Sequence, residues 1–419
     1  MENSHQFDER FMAEALALAR RGIGLASPNP CVGAVVVAAG GRIIGRGFHT
    51  YDGLKHAEVL ALDEAGAAAR GATLYLNLEP CCHTGRTGPC VDRVIAAGVK
   101  HVVVAIEDPN PVVRGTSLER LRAAGIAVTA GVQEAAARKL NEAFAKHVRT
   151  GTPLITLKAG MTLDGKIAPP PEDGDAPNVV KLPVAPVDGS VPSGPTGGWI
   201  TSREARAHVQ QLRHSSDAVM VGVGTVIADD PRLTDRTGQP RRRPLLRVIL
   251  DSRLRLPLES RVVKTAQDDV LVFCSFAEEK RRRELESRGV RVEQVSLGLG
   301  EGRPNLRRVA ERLGALDITS LIIEGGALLN WAALASDVVD KVFLYYAPKI
   351  LAGTGSVPFA AGPGFRRLGE AAKVGQIELH RFGVDFAVEG YLHDPYAWTP
   401  GPEKTLTTEQ PQPEPPRIA

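Results

Sequence analysis

With 419 residues the chain is too long for one ordinary hydrophobic core and is expected to form two domains. Apolar residues at 43% and charged residues at 24% exclude a disordered or fibrous chain. The balance of 51 basic against 48 acidic residues, with aromatics at only 5%, argues against a nucleic-acid binder with extended base-stacking surfaces. No apolar run approaches the roughly 18 residues of a membrane span. The opening MENSHQFDERFMAEALALARR carries acidic residues among its first ten and lacks the apolar stretch of a signal peptide, so the chain reads as cytoplasmic with no membrane partner.

In chain order, residues 7–21 have helical spacing of apolar positions. A short buried-strand pattern over 31–37 follows the breaker Ser27-Pro28-Asn29-Pro30. Residues 56–69 are rich in Ala and Leu and predict a helix, 73–78 and 101–106 predict strands, and 90–97 a short helix between them. A further helix ends over 120–125 before a strand over 126–129, and 134–148 predicts one continuous helix leading out of the domain. This alternation predicts a mostly parallel sheet flanked by helices within residues 1–150. The pattern restarts with a strand over 154–159. Residues 169–198, rich in proline, glycine and acidic residues, read as a flexible insertion. Helices are then predicted over 204–213, 277–287, 306–313 and 327–335, and strands over 218–221, 246–251, 270–273, 290–295, 321–323 and 342–346. These make a second α/β domain spanning 151–395, before a proline-rich, disordered tail over 396–419.

Three of the five cysteines fall within ten positions, which fits metal or catalytic use better than a disulfide framework. Lys55-His56-Ala57-Glu58 is followed by Pro80-Cys81-Cys82-His83-Thr84-Gly85-Arg86-Thr87-Gly88-Pro89-Cys90. A catalytic zinc keeps three protein ligands and leaves its fourth position to water, whose pKa falls to roughly 7. His56, Cys81 and Cys90 are the expected ligands, and Glu58 the catalytic proton carrier rather than a ligand. Residues two apart on an ideal helix diverge, so His56 and Glu58 can share a site only at a helix entrance. Cys90 at a helix start gains from the dipole, which favours its thiolate. The competing reading is a structural, four-coordinate zinc with Cys82 or His83 as fourth ligand, in which Glu58 has no purpose. Cys82 reads as a small packed side chain, and Cys31 and Cys274 lie in strand patterns and read as core. Eight residues separate Cys81 from Cys90, more than in most nucleobase deaminases. The stretch offers the imidazole of His83, the hydroxyl of Thr84 and the guanidinium of Arg86, a set suited to a substrate phosphate. A solvated loop is the bland alternative.

With Ser27-Pro28-Asn29-Pro30-Cys31-Val32-Gly33 before this motif and Glu107-Asp108-Pro109-Asn110-Pro111 after it, the first half resembles the bifunctional riboflavin-biosynthesis deaminase–reductases. The likeness continues through Lys158, Thr162-Leu163-Asp164-Gly165-Lys166, Trp199-Ile200-Thr201, Asp217-Ala218, Gly222-Val223-Gly224-Thr225-Val226, Asp229-Asp230-Pro231 and Glu324-Gly325-Gly326. The resemblance implies a cytidine-deaminase-like α/β/α sandwich followed by a dihydrofolate-reductase-like α/β domain. The first would use Zn2+ to deaminate a diaminopyrimidinone ribosylamine phosphate. The second would use NADPH to reduce the ribosyl group to a ribityl chain. It carries substrate contacts onto Asn29, His49, Arg213, Leu233, Arg236 and Glu324, with Arg213 and Arg236 as phosphate ligands. Cofactor contacts fall on Gly160, Trp199, Thr225, Asp229, Ser252, Gly326, Ala327, Leu328 and Leu329. It also implies a homo-oligomer associating through the reductase half.

The chain departs from that family pattern at Cys82, usually serine, at Gly88, usually proline, at Asp52, where a small residue is common, and in the length of the 169–198 insertion. From the residues alone, Glu324-Gly325-Gly326 between a strand and a helix offers the amides of Gly326 to Leu329 to a pyrophosphate. The full dinucleotide-binding glycine fingerprint is absent. Without the resemblance, Arg213 and Arg236 would read as solvated. The remaining alternatives are a zinc deaminase acting on another nucleotide or on tRNA with an inactive or repurposed reductase-like half, and a zinc-stabilised protein without activity. For the tRNA enzyme the candidate basic runs are Arg241, Arg242, Arg243 and Arg281, Arg282, Arg283.

Overall fold

The structure, a computed structural model, describes residues 2–83, 88–111, 113–170, 198–298 and 302–397. The expected 169–198 insertion, apart from its ends, and the tail from 398 onward lie outside the described residues, as do Thr84 and Arg86.

The first half holds strands β1 (Gly33–Val37), β2 (Ile43–Phe48), β3 (Thr73–Leu76), β4 (His101–Val104) and β5 (Ala127–Ala130), in the spatial order β2-β1-β3-β4-β5. Its helices are α1 (Glu2–Arg20), α2 (Ala57–Ala65), α3 (Cys90–Ala97), α4 (Thr116–Ala123), α5 (Glu134–Leu140) and α6 (Glu142–Thr150). Strand alternation divides the core into two layers. Val35, Val37, Tyr75 and Val103 face Phe11, Met12, Ala15 and Leu16 of α1. Ala34, Val36, Leu74, Leu76, Val102 and Val104 face α2, α3 and α4. Helix α2 lies directly on β2. A Cβ at Gly45 would stand 2.0 Å from the Ala61 carbonyl oxygen, and one at Gly47 would stand 2.1 Å from that of Ala57. These two glycines set how closely the entrance of α2 approaches the sheet.

Three expectations need correction. The sheet is parallel only across β3, β4 and β5, because β1 pairs antiparallel with both β2 and β3. All five residues of β1 are buried, so its sequence carries no alternation to distinguish this pairing from a parallel one. The helix expected over 134–148 is two helices broken at Asn141. This side chain, 2% exposed, accepts from the Cys31 amide at 2.8 Å and donates to the Cys31 carbonyl at 3.1 Å. Cys31 itself precedes β1 instead of lying in it, its carbonyl also held by Asn77 Nδ2 at 2.9 Å.

The second half is a nine-stranded sheet. Its strands are β6 (Leu154–Thr162), β8 (Ala218–Gly222), β9 (Leu246–Leu250), β10 (Val270–Cys274), β11 (Val290–Gln294), β12 (Ser320–Ile323), β13 (Lys341–Ala347), β15 (Gly375–Phe382) and β16 (Asp385–Tyr391). A separate small ribbon pairs β7 (Lys166–Ala168) with β14 (Val357–Pro358). The order is β11-β10-β9-β8-β12-β6-β13-β16-β15, parallel from β11 to β13 and antiparallel through the closing hairpin. Helices α7 (Arg203–His214), α8 (Val223–Asp229), α9 (Arg261–Lys264) and α10 (Glu279–Glu286) flank it with α11 (Leu306–Gly314) and α12 (Ala327–Ala335). Leu157, Met220, Val248, Phe273 and Ile323 pack under α11 and α12, while Val219, Ile249 and Val272 face the other way toward α8 and α9. Cys274 is buried in β10, as expected. No helix among the described residues is long and apolar enough to cross a membrane.

Candidate active sites

His56 is the residue that caps α2, with extended backbone angles, and the helix starts at Ala57. Its imidazole and the Glu58 side chain thus leave the first turn together, the arrangement a shared site requires. Cys90 opens α3, and its amide donates to Cys81 Sγ at 3.4 Å. His56 Nδ1 stands 3.6 Å from Cys81 Sγ and 3.1 Å from Cys90 Sγ, and the three donor atoms lie within 4.8 Å of one another. Tetrahedral zinc with bonds of about 2.3 Å to sulfur and about 2.0–2.1 Å to nitrogen spaces its ligands by about 3.6–3.8 Å. The His56–Cys81 edge matches that spacing, and the Cys90 edge needs only a small expansion. Soft sulfur with borderline imidazole is a zinc donor set, so the residues fit the ion. Neither Cys82 nor His83 joins the cluster.

The Cys90 thiol bonds to Cys81, which holds Cys81 below and Cys90 above the ordinary thiol range. Burial raises Glu58, only 2% exposed, above the usual carboxyl range, and its side chain lies against Cys90. Asn29 Nδ2 meets His49 Nε2 at 2.9 Å, while His49 Nδ1 lies 3.1 Å from the Lys55 carbonyl. Since a carbonyl only accepts, Nδ1 carries the proton and Nε2 accepts from Asn29. The His49 and His56 rings meet edge to face at 5.1 Å, which brings the expected substrate contacts Asn29 and His49 beside the ligands. His83 is exposed at the edge of the described loop.

Sequence reasoning missed what holds this site in place. Glu79 is 3% exposed and accepts from the amides of Asp108 at 3.0 Å, Gly115 at 2.9 Å and Ser117 at 3.0 Å. The Ser117 hydroxyl in turn donates to the Pro80 carbonyl at 2.5 Å, so the chain entering Cys81 is tied to the start of α4. A carboxylate beside Pro80 at the end of an apolar strand was the available signal, because a buried charge needs such partners.

In the second half Glu324, at the end of β12, receives both nitrogens of a guanidinium fork. Arg213 Nε donates to Oε1 at 2.6 Å and Nη2 to Oε2 at 3.0 Å, while Lys158 Nζ reaches Oε2 at 3.3 Å. Burial opposes its ionisation, but Lys158 and Arg213 hold its carboxyl down to about 2. Thr225 lies in the first turn of α8 after β8, and Gly326 precedes α12 after the neighbouring β12. A Cβ at Gly326 would lie 3.4 Å from Thr225 Oγ1, so the two expected cofactor segments adjoin at the carboxyl ends of adjacent parallel strands. Among the other expected cofactor contacts, Ala327 and Leu329 are buried and Leu328 is exposed. Gly160 on β6 approaches Thr201, where a Cβ would stand 3.0 Å from Cγ2. Trp199 is half exposed, with the Arg206 guanidinium 4.8 Å over its ring. Ser252 follows β9, its carbonyl accepting from Ser275 and Phe276, and Asp229 is exposed at the end of α8.

The two expected phosphate arginines sit in different surroundings, with the loop carrying Arg236 bonded to α7 through Gln210 and Arg213. Arg213 is largely buried on Glu324, and its Nη1 donates to the Thr234 carbonyl at 3.0 Å. Arg236 is exposed, its amide bonded to Gln210. Leu233 is buried, with a positive φ of 56°.

The first site has the ligand set of a zinc-dependent deaminase, and residues 5–106 match the family described as the cytidine and deoxycytidylate deaminase zinc-binding region. Residues 153–388 match the RibD C-terminal domain, the reductase half expected to be dihydrofolate-reductase-like. The chain belongs to the RibD family of riboflavin-biosynthesis proteins. It is 39% identical to riboflavin biosynthesis protein RibD of Aquifex aeolicus over 91% of this chain and 98% of the relative. It is 38% identical to that of Escherichia coli over 90% and 97%. A solved Acinetobacter baumannii RibD superimposes with a TM-score of 0.75 at 34% identity, covering 92% of this chain and 99% of the other. A diaminohydroxyphosphoribosylaminopyrimidine deaminase / 5-amino-6-(5-phosphoribosylamino)uracil reductase from Thermotoga maritima gives 0.74 at 34%, covering 93% and 99%.

Proposed function

We propose that His56, Cys81 and Cys90 hold the catalytic zinc, that Glu58 is the proton carrier, and that Lys158, Arg213 and Glu324 form the substrate end of the reductase site. The chain is a bifunctional enzyme of riboflavin biosynthesis, a zinc deaminase and an NADPH-dependent reductase. The substrate is a diaminopyrimidinone ribosylamine phosphate and then its deaminated product, the pair of activities in the name of the Thermotoga relative.

Zinc, when bound, supplies a water that ionises near neutral pH. Glu58, buried beside Cys90, would carry a proton between the attacking water and the exocyclic nitrogen. A ring carbon–oxygen bond thereby replaces a carbon–nitrogen bond and ammonia leaves. Donation from Asn29 Nδ2 to His49 leaves Asn29 Oδ1 to accept from the pyrimidine's amino or ring N–H. In the second half bound NADPH would supply a hydride to the ribosyl carbon bonded to nitrogen, while the bond from that carbon to the ring oxygen opens and the oxygen takes a proton from solvent, giving the ribityl chain. Two cations facing one carboxylate at Glu324 leave a net positive charge, which suits a phosphorylated sugar. The amides from Gly326 to Leu329 at the start of α12 and the Thr225 hydroxyl suit the cofactor's phosphates.

We place the boundary between the two catalytic halves near residue 150 and read the enzyme as a cytoplasmic homo-oligomer without a nucleic-acid partner. What supports the last point is the occupation of both arginine runs. Arg241 bonds to the end of α7, Arg242 and Arg243 bond to Ser27 in the other half, Arg281 reaches the Leu256 carbonyl, and Arg282 and Arg283 pair with Glu286 and Glu279. The observation that carries the deaminase reading is the entry of His56 and Glu58 from one helix turn onto Cys81 and Cys90. Glu58→Gln should keep one zinc per chain and lower deaminase kcat by about 10²–10⁴-fold, with the reductase unaffected. Undiminished ammonia release by the zinc-loaded variant would remove Glu58 from the mechanism.

A further inference from the structure

Three consecutive arginines of the reductase half hold both active sites at once. Arg241 closes the carboxyl end of α7, the helix carrying Arg213: its Nη1 donates to the carbonyls of Arg213 at 3.1 Å and His214 at 2.7 Å, and its Nη2 to that of Ser216 at 2.6 Å. Arg242 reaches into the other half. Its amide donates to the Gly24 carbonyl at 2.8 Å and its Nη1 to the Ser27 carbonyl at 2.9 Å, two residues before Asn29. The same guanidinium lies 3.7 Å over the Tyr51 ring, with Nε 3.4 Å from Asp52. Arg243 binds Ser27 Oγ at 3.2 Å and Asp217 at 3.2 Å, and Asp217 also receives the Ser27 hydroxyl at 2.8 Å and the Thr319 hydroxyl at 2.7 Å.

The two loops that Arg242 touches are those flanking the deaminase pocket. One carries Asn29. The other runs from His49 through Tyr51 and Asp52 to the zinc ligand His56. Asp52 places a carboxylate against this guanidinium. Carbonyl acceptor, aromatic face and carboxylate together use the planar, multi-donor character of arginine, which lysine reproduces only in part.

From this geometry we infer that Arg242 is a positioning residue for the deaminase site supplied by the reductase half, and that the 241–243 run couples the Asn29 loop to the helix bearing Arg213. The inference rests on the reading of Asn29 and His49 as substrate contacts. Arg242 fixes the spacing of the two loops, and so the distance between Asn29 Oδ1 and the zinc ligands. Misplacement of a binding group by a fraction of an ångström to one ångström weakens substrate capture on the order of tenfold or more.

The test uses the full-length, zinc-loaded enzyme, with the diaminopyrimidine nucleotide for the first activity and its deaminated product for the second. Arg242→Ala should raise the deaminase KM about tenfold with kcat within about threefold. Zinc content and both reductase constants should stay at wild-type values, and Arg242→Lys should recover part of the loss. If Arg242→Ala is poorly soluble, Tyr51→Leu removes the stacking face and should raise the same KM by a smaller factor, with no further rise when combined with Arg242→Lys. An unchanged deaminase KM in these variants overturns the inference, and so does a parallel fall of both activities with loss of zinc. Asn29→Ala, measured alongside, separates this from the underlying reading: an unmoved KM in that variant removes Asn29 from substrate binding, whatever Arg242 does.

Discussion

The two sites are assembled in opposite ways. In the deaminase site Cys81 and Cys90 lie 25 and 34 residues from His56, and two helix starts present the ligands. In the reductase site Lys158 and Arg213 lie 166 and 111 residues from Glu324, joined only because β6 and β12 are neighbours and α7 packs beside them. The chemistry differs as well. The zinc ligands are two thiol sulfurs and an imidazole, a donor set for a metal cation. The Glu324 cluster is already ionised and internally paired, with one positive charge in excess. A site built from a short motif therefore depends on its metal, and a site built from distant strands depends on its ion pairs.

That contrast can be broken by removing one site and asking whether the other notices. Cys90→Ala should abolish stoichiometric zinc and reduce deamination to background, while reduction of pre-deaminated substrate stays within about twofold. Metal analysis and NADPH oxidation on the two substrates read both outcomes, and a matching loss of reductase activity would show the sites to be one cooperative unit. Glu324→Gln, nearly isosteric, should lower reductase kcat/KM about 10–100-fold and leave zinc and deamination unchanged. An effect under about twofold would make the Glu324 cluster a structural ion pair only.

A smaller effect sharpens the contrast through pH. Burial opposes the charge on Glu389, but Lys341 and Lys139 hold its carboxyl down to about 2. A carboxyl depressed from the ordinary 4.5 stabilises the fold above about pH 4.5, and that contribution disappears as pH falls toward 2. Lys341 on β13, the stronger partner, lies in the same half as Glu389 on β16, and Lys139 on α5 reaches it from the other half, so part of this stabilisation, up to about 3 kcal/mol in all, acts across the seam. Urea unfolding between pH 5 and 2.5 should lose stability more steeply in the wild type than in Glu389→Gln. Parallel curves would show that the pair adds nothing.

The zinc site was legible because its signal is local. A histidine with a carboxylate two residues on requires a helix entrance, and Cys90 requires a helix start. The structure places His56 as the cap of α2 and Cys90 at the first position of α3. The elements that escaped reading depend on distant partners or offer no pattern. The break at Asn141 exists because Cys31, 110 residues earlier, needs its amide and carbonyl satisfied. Strand β15 is an edge strand with most of its residues exposed, so hydrophobic alternation never marked it. Glu79 has no sequence neighbour that reveals its three amide donors, 29 to 38 residues away.

The amino-acid sequence by itself determined the chemistry: an N,S,S donor set with a buried carboxylate beside it, and two alternating α/β segments able to form separate cores. Only the tertiary structure decided which distant charges meet, namely Arg213 on Glu324, and Arg242 on the deaminase loops instead of in solvent. The reason is physical. Ligand identity and helix entrance are properties of a few successive residues, whereas a buried ion pair exists only where chain packing excludes water from both partners.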